Sequence, residues 1–291
     1  MSEPTRSASV EPRPAATVVV VRDSERGVEV LLVKRHHTMA FLAGAHVFPG
    51  GRVEPADREL AAKHLSGRDH AAAQLPACTP AEAVAWHVAA IRELFEEAGV
   101  LLASDARGAS VAMADEAERR RFERCRTALA SEPFDAILAR EGLRLALDAL
   151  AVFSHWVTPD GEVRRFDTRF FLARLPADQR AAHDDRENVD LAWMTPTDAI
   201  SRCRAGDIVL PPPTWTTMRE LERAKSTDEA FAWALAARPI VRREPRFVDV
   251  GGVRELVVPD TAFESRFQLV DGRWRAVDST GRPHGFAPGA P

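Results

Sequence analysis

The segment from Thr79 to Gly99, TPAEAVAWHVAAIRELFEEAG, constrains the fold of this chain more than any other. Thr79 and Glu82 have the capping-box spacing that starts a helix, and Pro80 occupies the first helical position. Gly99 is the residue type that most often ends a helix. The sequence therefore predicts one long helix from Pro80 to about Ala98.

The predicted helix has an apolar face and an acidic face. With about 3.6 residues per turn, its apolar positions lie on one side: Val84, Ile91, Leu94, Phe95, Ala98 and Leu102. The opposite side gathers Glu93, Glu96 and Glu97. A solvated acidic face explains such a helix by itself. A metal site is the alternative, because like charges at this spacing repel by roughly 0.2–0.5 kcal/mol per pair, and carboxylates suit Mg²⁺ or Mn²⁺.

Strands and helices are mixed along the chain without a regular alternation. Two β-branched segments, at 15–21 and 28–35, predict a hairpin. Further strands are predicted at 46–51, where a Pro-Gly-Gly turn follows, and at 150–159, 164–176 and 188–196. This mixture predicts an α+β fold with a mixed sheet rather than a doubly wound one.

Three regions differ in composition. Residues 1–14 hold three prolines and few large apolar groups, so they are predicted to be disordered. Residues 15–238 form the expected main domain. Residues 239–291 consist of short β-like pieces, with a hairpin signal at Asp271-Gly272, and predict a β-rich extension.

Composition excludes several classes of function. A net charge of −4 over 291 residues gives no overall basic field for nucleic acid. Cys78, Cys125 and Cys203 are too far apart in sequence for a disulfide framework or a zinc motif. No apolar run approaches the ~20 residues of a membrane span, and no secretory signal precedes the first strand. A cytoplasmic protein without membrane or nucleic-acid partners is expected.

The acidic helix carries most of a known signature. Residues 92–100 resemble the second half of the Nudix hydrolase signature at seven positions: Arg92, Glu93, Leu94, Glu96, Glu97, Gly99 and Val100. Gly51 matches the first position of the signature. The acidic residue six positions later is Asp57 rather than Glu, and 34 residues separate Asp57 from Arg92 where the family has seven. This split box, with an insertion at 58–78, is similar to the acyl-CoA diphosphatase-like branch.

The resemblance implies the Nudix fold, a mixed β-sheet sandwiched between helices, and hydrolysis of a nucleoside diphosphate linked to another group. It implies Mg²⁺ or Mn²⁺ held by Glu93, Glu97, Glu96 and the carbonyl of Gly50. Glu96 is alternatively the residue that orients the attacking water, and Arg92 is expected to join the helix to the glycine loop. Asp57 either binds Arg92 or takes no part in the site.

The substrate is less constrained than the reaction. The branch favours CoA or acyl-CoA, with ADP-ribose or a dinucleotide diphosphate as alternatives. A non-catalytic Nudix-like regulator that binds such a ligand is the alternative from another class, although regulators usually lack one or more of the box glutamates. The expected partner is the small-molecule substrate. The sequence also leaves a homodimer open.

Five residues outside the helix complete the predicted site. Family members often use an acidic residue just before a strand tryptophan, which here indicates Glu187 as a further ligand or general base, with Asp184 and Asp185 as rivals. The predicted substrate contacts are Arg35, Arg165, Arg169 and Phe48. For the two later arginines a salt-bridged face over an aromatic core is an equal alternative, and for Phe48 core packing is the alternative.

Overall fold

A computed structural model of the chain describes residues 10–36, 42–60, 65–182, 188–236 and 238–284. The helices within these residues are α1 (Pro55–Leu60), α2 (Arg68–Gln74), α3 (Pro80–Ala98), α4 (Glu116–Ala128), α5 (Phe134–Glu141), α6 (Pro196–Ala205), α7 (Pro212–Leu221) and α8 (Thr227–Leu235). A short 3-10 turn covers Leu147–Ala149.

The strands of the described residues are β1 (Arg13–Ser24), β2 (Gly27–Arg35), β3 (His46–Val47), β4 (Gly50–Arg52), β5 (Leu65–Ser66), β6 (Ala103–Ser104), β7 (Arg144–Ala146), β8 (Leu150–Val157), β9 (Phe166–Arg174), β10 (Asn188–Met194), β11 (Arg242–Arg243), β12 (Arg246–Val250), β13 (Val253–Val257), β14 (Arg266–Val270) and β15 (Arg273–Ala276).

The main sheet is mixed, as predicted. Its strand order is β10-β2-β1-β9-β8-β11, with β3 paired to β2 and β4 paired to β1. Strands β1 and β2 form the expected antiparallel hairpin, whereas β1 and β9 run parallel. Strand β1 therefore lies in the middle of the sheet, and it joins the glycine strand β4 to the long strand β9.

Helices cover both faces of this sheet, which confirms the sandwich. Successive residues of the segment 18–21 point to opposite faces. Val18 packs in a core cluster with Ile91 of α3, and Val19 packs in a second cluster with Met218 of α7. Because both faces of β1 are buried, its sequence is a continuous β-branched run rather than an alternating one.

The predicted helix forms as α3 and ends where expected. Thr79 and Glu82 make both hydrogen bonds of the capping box, and Gly99 ends the helix in a left-handed conformation with φ 68°. A side chain at that φ would be strained, so glycine is the favoured residue. The apolar side of α3 is buried against β1, and this contact fixes the direction in which the opposite, acidic side points.

The N-terminal segment and the insertion in the box both contribute secondary structure. Strand β1 begins at Arg13, so two residues of the segment predicted to be disordered pair with β9. The insertion at 58–78 contributes the end of α1, β5 and α2, and α2 packs on α3. Within the described ranges, no helix is long and apolar enough to cross a membrane.

The first strand of the extension, β11, pairs with β8 at the edge of the main sheet, and the other four form a sheet of their own with strand order β12-β13-β14-β15. The Asp271-Gly272 pair makes the predicted hairpin turn, and both residues have positive φ. Leu256 and Phe267 from this sheet share a core cluster with Trp215 of α7. The extension is therefore docked on the main domain through a common apolar core.

Candidate active site

The glycine strand β4 lies directly against the acidic side of α3. A Cβ atom on Gly50 would lie 2.4 Å from the carbonyl oxygen of Ala16, and a Cβ atom on Gly51 would lie 2.4 Å from Oε1 of Glu93. Gly50 therefore has no room for a side chain against the backbone of β1, and a side chain at position 51 would displace the carboxylate of Glu93. The Pro-Gly-Gly segment was predicted to be a turn, but its glycines pair with β1 as a short strand.

Glu97 connects α3 to this strand. Its Oε2 accepts a hydrogen bond of 3.0 Å from the backbone amide of Gly50, and its side chain is buried. Glu96, one residue earlier on the helix, is half exposed. The two carboxylates therefore have different surroundings although they are adjacent in sequence.

Arg92 joins the two halves of the split box. Its Nε and one terminal nitrogen donate to the two oxygens of Asp57 at 2.8 and 2.9 Å, and that nitrogen also donates to the carbonyl of Arg52. The other terminal nitrogen donates to Glu93 at 2.8 Å and to Glu96 at 3.4 Å. The structure thus places Asp57 against Arg92, which is one of the two alternatives that the sequence left open.

The carboxyl group of Glu93 has a strongly perturbed pKa. Burial raises its pKa to about 7, and the charge of Glu96 adds to the effect, while the charge of Arg92 opposes it. Burial and like charge both favour the protonated carboxylic acid. A cation near this carboxylate would favour the charged form instead.

The chemistry of these donors fits a hard divalent cation, although their present geometry is not that of a coordination shell. Among the residues that the structure describes, no group of three or more His, Cys, Asp and Glu side chains converges on a metal position. Glu93 and Glu96 are bonded to Arg92, and Glu97 is bonded to Gly50. Their oxygens are the ligands that Mg²⁺ prefers, and glycine at position 51 leaves the space that Glu93 occupies.

A cavity of about 600 Å³ opens onto this cluster. Its charged lining includes Glu93, Glu96 and Glu97 on α3 and Arg35 at the end of β2. Within the described residues, the buried Nε of Arg35 has no hydrogen-bond partner. This unsatisfied donor favours an anionic ligand in the cavity, because an unpaired buried polar atom is costly.

Two predicted substrate contacts lie on the wrong side of the sheet. Arg169 of β9 and Arg165, which directly precedes that strand, do not line the cavity, whereas Phe166, Thr168 and Phe170 on the other face of β9 do. The prediction failed because alternation separates the two faces of a strand without showing which of them borders the site.

The displaced arginines make structural contacts instead. Arg165 donates to the carbonyls of Thr158 and Val10 and forms an ion pair with Glu244. Arg169 forms an ion pair with Asp167, and its guanidinium lies 4.8 Å from the centroid of a Trp86 ring. The salt-bridged face that was the alternative describes them better.

The remaining predicted residues divide into two groups. Arg35 and Phe48 both line the cavity, but Phe48 is buried and packs edge-on against Phe170, with ring centroids 6.2 Å apart. Glu187 and its rivals Asp184 and Asp185 lie outside the described residues, so their roles stay predictions.

One supporting residue was not predicted. Arg126 of α4 is buried, and it donates to the backbone carbonyls of Glu96 and Glu97 at 2.9 and 3.1 Å. It therefore satisfies carbonyls at the C-terminal end of α3, where a cation is favourable. The sequence offers no signal for this role, because Arg126 is one of several arginines in an exposed-looking helix.

Comparisons with known proteins found related sequences and structures. Residues 65–221 match a family model described as the NUDT19 Nudix domain. The acyl-coenzyme A diphosphatase NUDT19 of Xenopus laevis is 29% identical over 227 residues, which cover 66% of this chain and 59% of that protein. The human protein of the same name is 30% identical over 242 residues, which cover 72% and 64%.

The matched region spans roughly 60% of the length of these curated relatives. Among solved structures, a NUDIX hydrolase from Alicyclobacillus acidocaldarius superposes with a TM-score of 0.62 at 28% identity. The superposition covers 79% of this chain and 99% of that one.

Proposed function

The chain belongs to the Nudix hydrolases of the NUDT19 branch, and from this premise we propose that it cleaves the diphosphate bond of CoA and acyl-CoA with the help of Mg²⁺ or Mn²⁺. The products would be adenosine 3′,5′-bisphosphate and a phosphopantetheine. The observation that carries the proposal is the meeting of Glu93, Glu97 and the Gly50-Gly51 strand at a 600 Å³ cavity. The CoA preference is supported by the printed activity of the NUDT19 relatives.

The proposed metal ligands are Glu93, Glu96, Glu97 and the carbonyl of Gly50, with Glu187 as a further ligand or base. When bound, a divalent cation supplies a water of lowered pKa and neutralises the diphosphate. Glu93 and Glu96 would exchange hydrogen bonds from Arg92 for the cation, whereas Arg92 would keep its two bonds to Asp57.

The protein residues have separate tasks in this scheme. The bond between Glu97 and the amide of Gly50 holds the helix and the strand in register. Arg92 keeps α3 on the segment that carries Asp57 and Arg52. Arg35, with an unsatisfied Nε at the cavity, would donate to a phosphate oxygen. Glu96, the most exposed of the three carboxylates, is best placed to reach the attacking water.

Hydrolysis of a substrate panel tests the proposal. CoA, octanoyl-CoA, ADP-ribose and a diadenosine polyphosphate would be incubated with Mg²⁺ and the native protein, Glu97→Gln or Glu25→Gln. Glu25 lies in the exposed β1–β2 turn and serves as the control. We expect cleavage of CoA and octanoyl-CoA, a loss of about 100-fold or more for Glu97→Gln, and native activity for Glu25→Gln.

The possible results separate the levels of the proposal. Cleavage of ADP-ribose alone would remove the CoA assignment and leave the Nudix reaction intact. Equal rates for the native protein and Glu97→Gln on every substrate would contradict the proposed site. Tight binding of a nucleotide diphosphate without any cleavage would favour the regulator alternative.

A further inference from the structure

The C-terminal extension forms part of the active-site cavity. Phe247 of β12, Leu256 of β13 and Trp274 of β15 line the same cavity as the acidic side of α3. Phe247 and Leu256 are directly paired across the two strands, so their side chains share one face of the small sheet. These three residues lie outside the family match at 65–221. The small C-terminal sheet therefore contributes part of the cavity wall.

This part of the cavity wall is held firmly in place. On the same sheet, Phe267 is paired with both Leu256 and Ala276, and all three are buried. They share a core cluster with Trp215 and other residues of the α6–α7 region. Because the sheet is anchored by this core, Phe247 and Trp274 are positioned before any ligand binds.

The extension faces other apolar residues across the cavity. Strands β8 and β9 contribute Trp156, Phe166 and Phe170, and the segment before and at the start of α7 contributes Pro211 and Pro212. Most of the charged residues in the lining, in contrast, belong to α3, to the end of β2 and to the segment from β4 to α1, while Glu162 and Arg164 come from the loop between β8 and β9. One set of elements thus supplies most of the charge of the cavity, and another supplies its apolar surface.

We infer that the Phe247–Leu256–Trp274 surface binds the acylated pantetheine arm of the substrate and sets a preference for acyl-CoA over free CoA. The inference rests on the proposed function. An acyl chain is uncharged and gains about 0.8 kcal/mol for each CH₂ group buried. It therefore matches a wall built from aromatic and aliphatic side chains, beside a charged region that would hold the diphosphate.

The geometry of the rings favours a chain over a nucleotide base. The guanidinium of Arg254 lies 4.1 Å from the centroid of the Phe247 ring, so one face of that ring is already covered. The Phe247 and Trp274 rings are inclined by 31° with centroids 6.2 Å apart. A flat base stacks best between parallel ring faces, whereas an alkyl chain needs only apolar contact area.

Chain-length dependence tests the inference. We would measure kcat/KM of the Mg²⁺-loaded native protein, Phe247→Ala, Trp274→Ala and Val248→Ala with CoA, butyryl-CoA, octanoyl-CoA and ADP-ribose. Val248 follows Phe247 in β12 but is exposed and does not line the cavity, so it is the matched control. We expect octanoyl-CoA to lose about 10-fold in each cavity variant, and ADP-ribose and Val248→Ala to stay within about twofold of the native values.

A binding measurement separates this inference from the proposed function. S-octanoyl-pantetheine lacks the nucleotide and the diphosphate, and its binding can be followed by calorimetry whether or not the protein cleaves CoA. Weaker binding to Phe247→Ala and Trp274→Ala than to the native protein and Val248→Ala supports the surface even if no CoA is hydrolysed. Equal binding to all four proteins overturns it, as does an equal loss of kcat/KM for octanoyl-CoA and ADP-ribose.

Protein stability is controlled in the same experiment. Each variant is accepted if its thermal midpoint lies close to that of the native protein. If an alanine variant unfolds, Phe247→Leu or Trp274→Leu replaces it, since these keep more apolar volume. The replacement is expected to weaken selection between octanoyl-CoA and butyryl-CoA by a smaller factor, and unchanged selection in a folded variant overturns the inference.

Discussion

The ion pair between Asp57 and Arg92 provides a quantitative test of how the split box is joined. Asp57 accepts two hydrogen bonds from Arg92 and a third, of 2.8 Å, from the backbone amide of Glu54. Its side chain is 2% exposed and that of Arg92 is 14% exposed. The pair is therefore largely shielded from water, and removing one charge leaves the other poorly compensated.

We expect Asp57→Asn to lower the free energy of unfolding by about 3 kcal/mol, at the low end of the range for breaking a buried pair. The low end applies because Arg92 keeps Glu93 and the carbonyl of Arg52 as partners. The freed guanidinium would also bind Glu93 and Glu96 more strongly, so the Mg²⁺ concentration for half-maximal activity should rise.

Urea unfolding in the presence of a chelator gives the free energy of unfolding. Activity measured against Mg²⁺ concentration gives the concentration for half-maximal activity. A double-mutant cycle with Arg92→Met isolates the pairwise free energy, which should exceed about 1 kcal/mol. Asp57→Glu keeps the negative charge and is therefore the control for the loss of charge in Asp57→Asn. An unfolding free energy within about 0.5 kcal/mol of the native value, together with an unchanged Mg²⁺ requirement, would refute the assigned role.

Three further changes test other parts of the structure. Arg126→Met should lower the free energy of unfolding in urea by about 2 kcal/mol, because it removes the donor to two helix carbonyls. Arg124→Met, on the exposed side of α4, is the control and should change this free energy little. Gly51→Ala should lower kcat/KM about 100-fold, since its Cβ would lie 2.4 Å from Glu93, and activity within twofold of native would contradict the close approach. Burial lowers the pKa of His87 to about 4. As the pH falls below 6.5, His87 is therefore protonated in the unfolded chain before it is protonated in the folded protein. The free energy of unfolding should fall by up to about 3 kcal/mol between pH 6.5 and 4. His87→Leu should reduce this decrease when unfolding is measured as a function of pH. The decrease that remains is expected to come from His46, because burial also lowers the pKa of His46 to about 4.

Local signals predicted the part of the site that lies on one element. The capping box, the terminal glycine and the helical period were enough to place Glu93, Glu96 and Glu97 on one side of α3, and the structure has that helix with the expected ends. The pairing of Asp57 with Arg92 was left open, because 34 residues separate them and nothing local fixes how a long insertion folds back.

The failures concern orientation between elements. The strand period separated Arg169 from Phe166, Thr168 and Phe170, yet the cavity borders the face of β9 that carries the latter three residues. That outcome is set by the position of β9 between β1 and β8 and by α3 packing on a particular side of the sheet. Charged residues alternate with aromatic ones in this part of β9, and that contrast separates the two faces without showing which of them borders the cavity.

The role of the extension in the cavity also depends on packing between elements that are far apart in sequence, and this packing indicates how substrate specificity arises. Phe247 and Trp274 are ordinary aromatic residues of short strands in sequence, and they become cavity residues only because Leu256 and Phe267 dock on the α6–α7 core. The diphosphate end of the proposed site is formed by α3, the end of β2 and the glycine strand β4, whereas the apolar wall comes in part from the C-terminal sheet. Variation in the extension can therefore change substrate preference without disturbing the carboxylates on α3. Selection among acyl chains and catalysis of diphosphate cleavage would accordingly respond to different sets of substitutions.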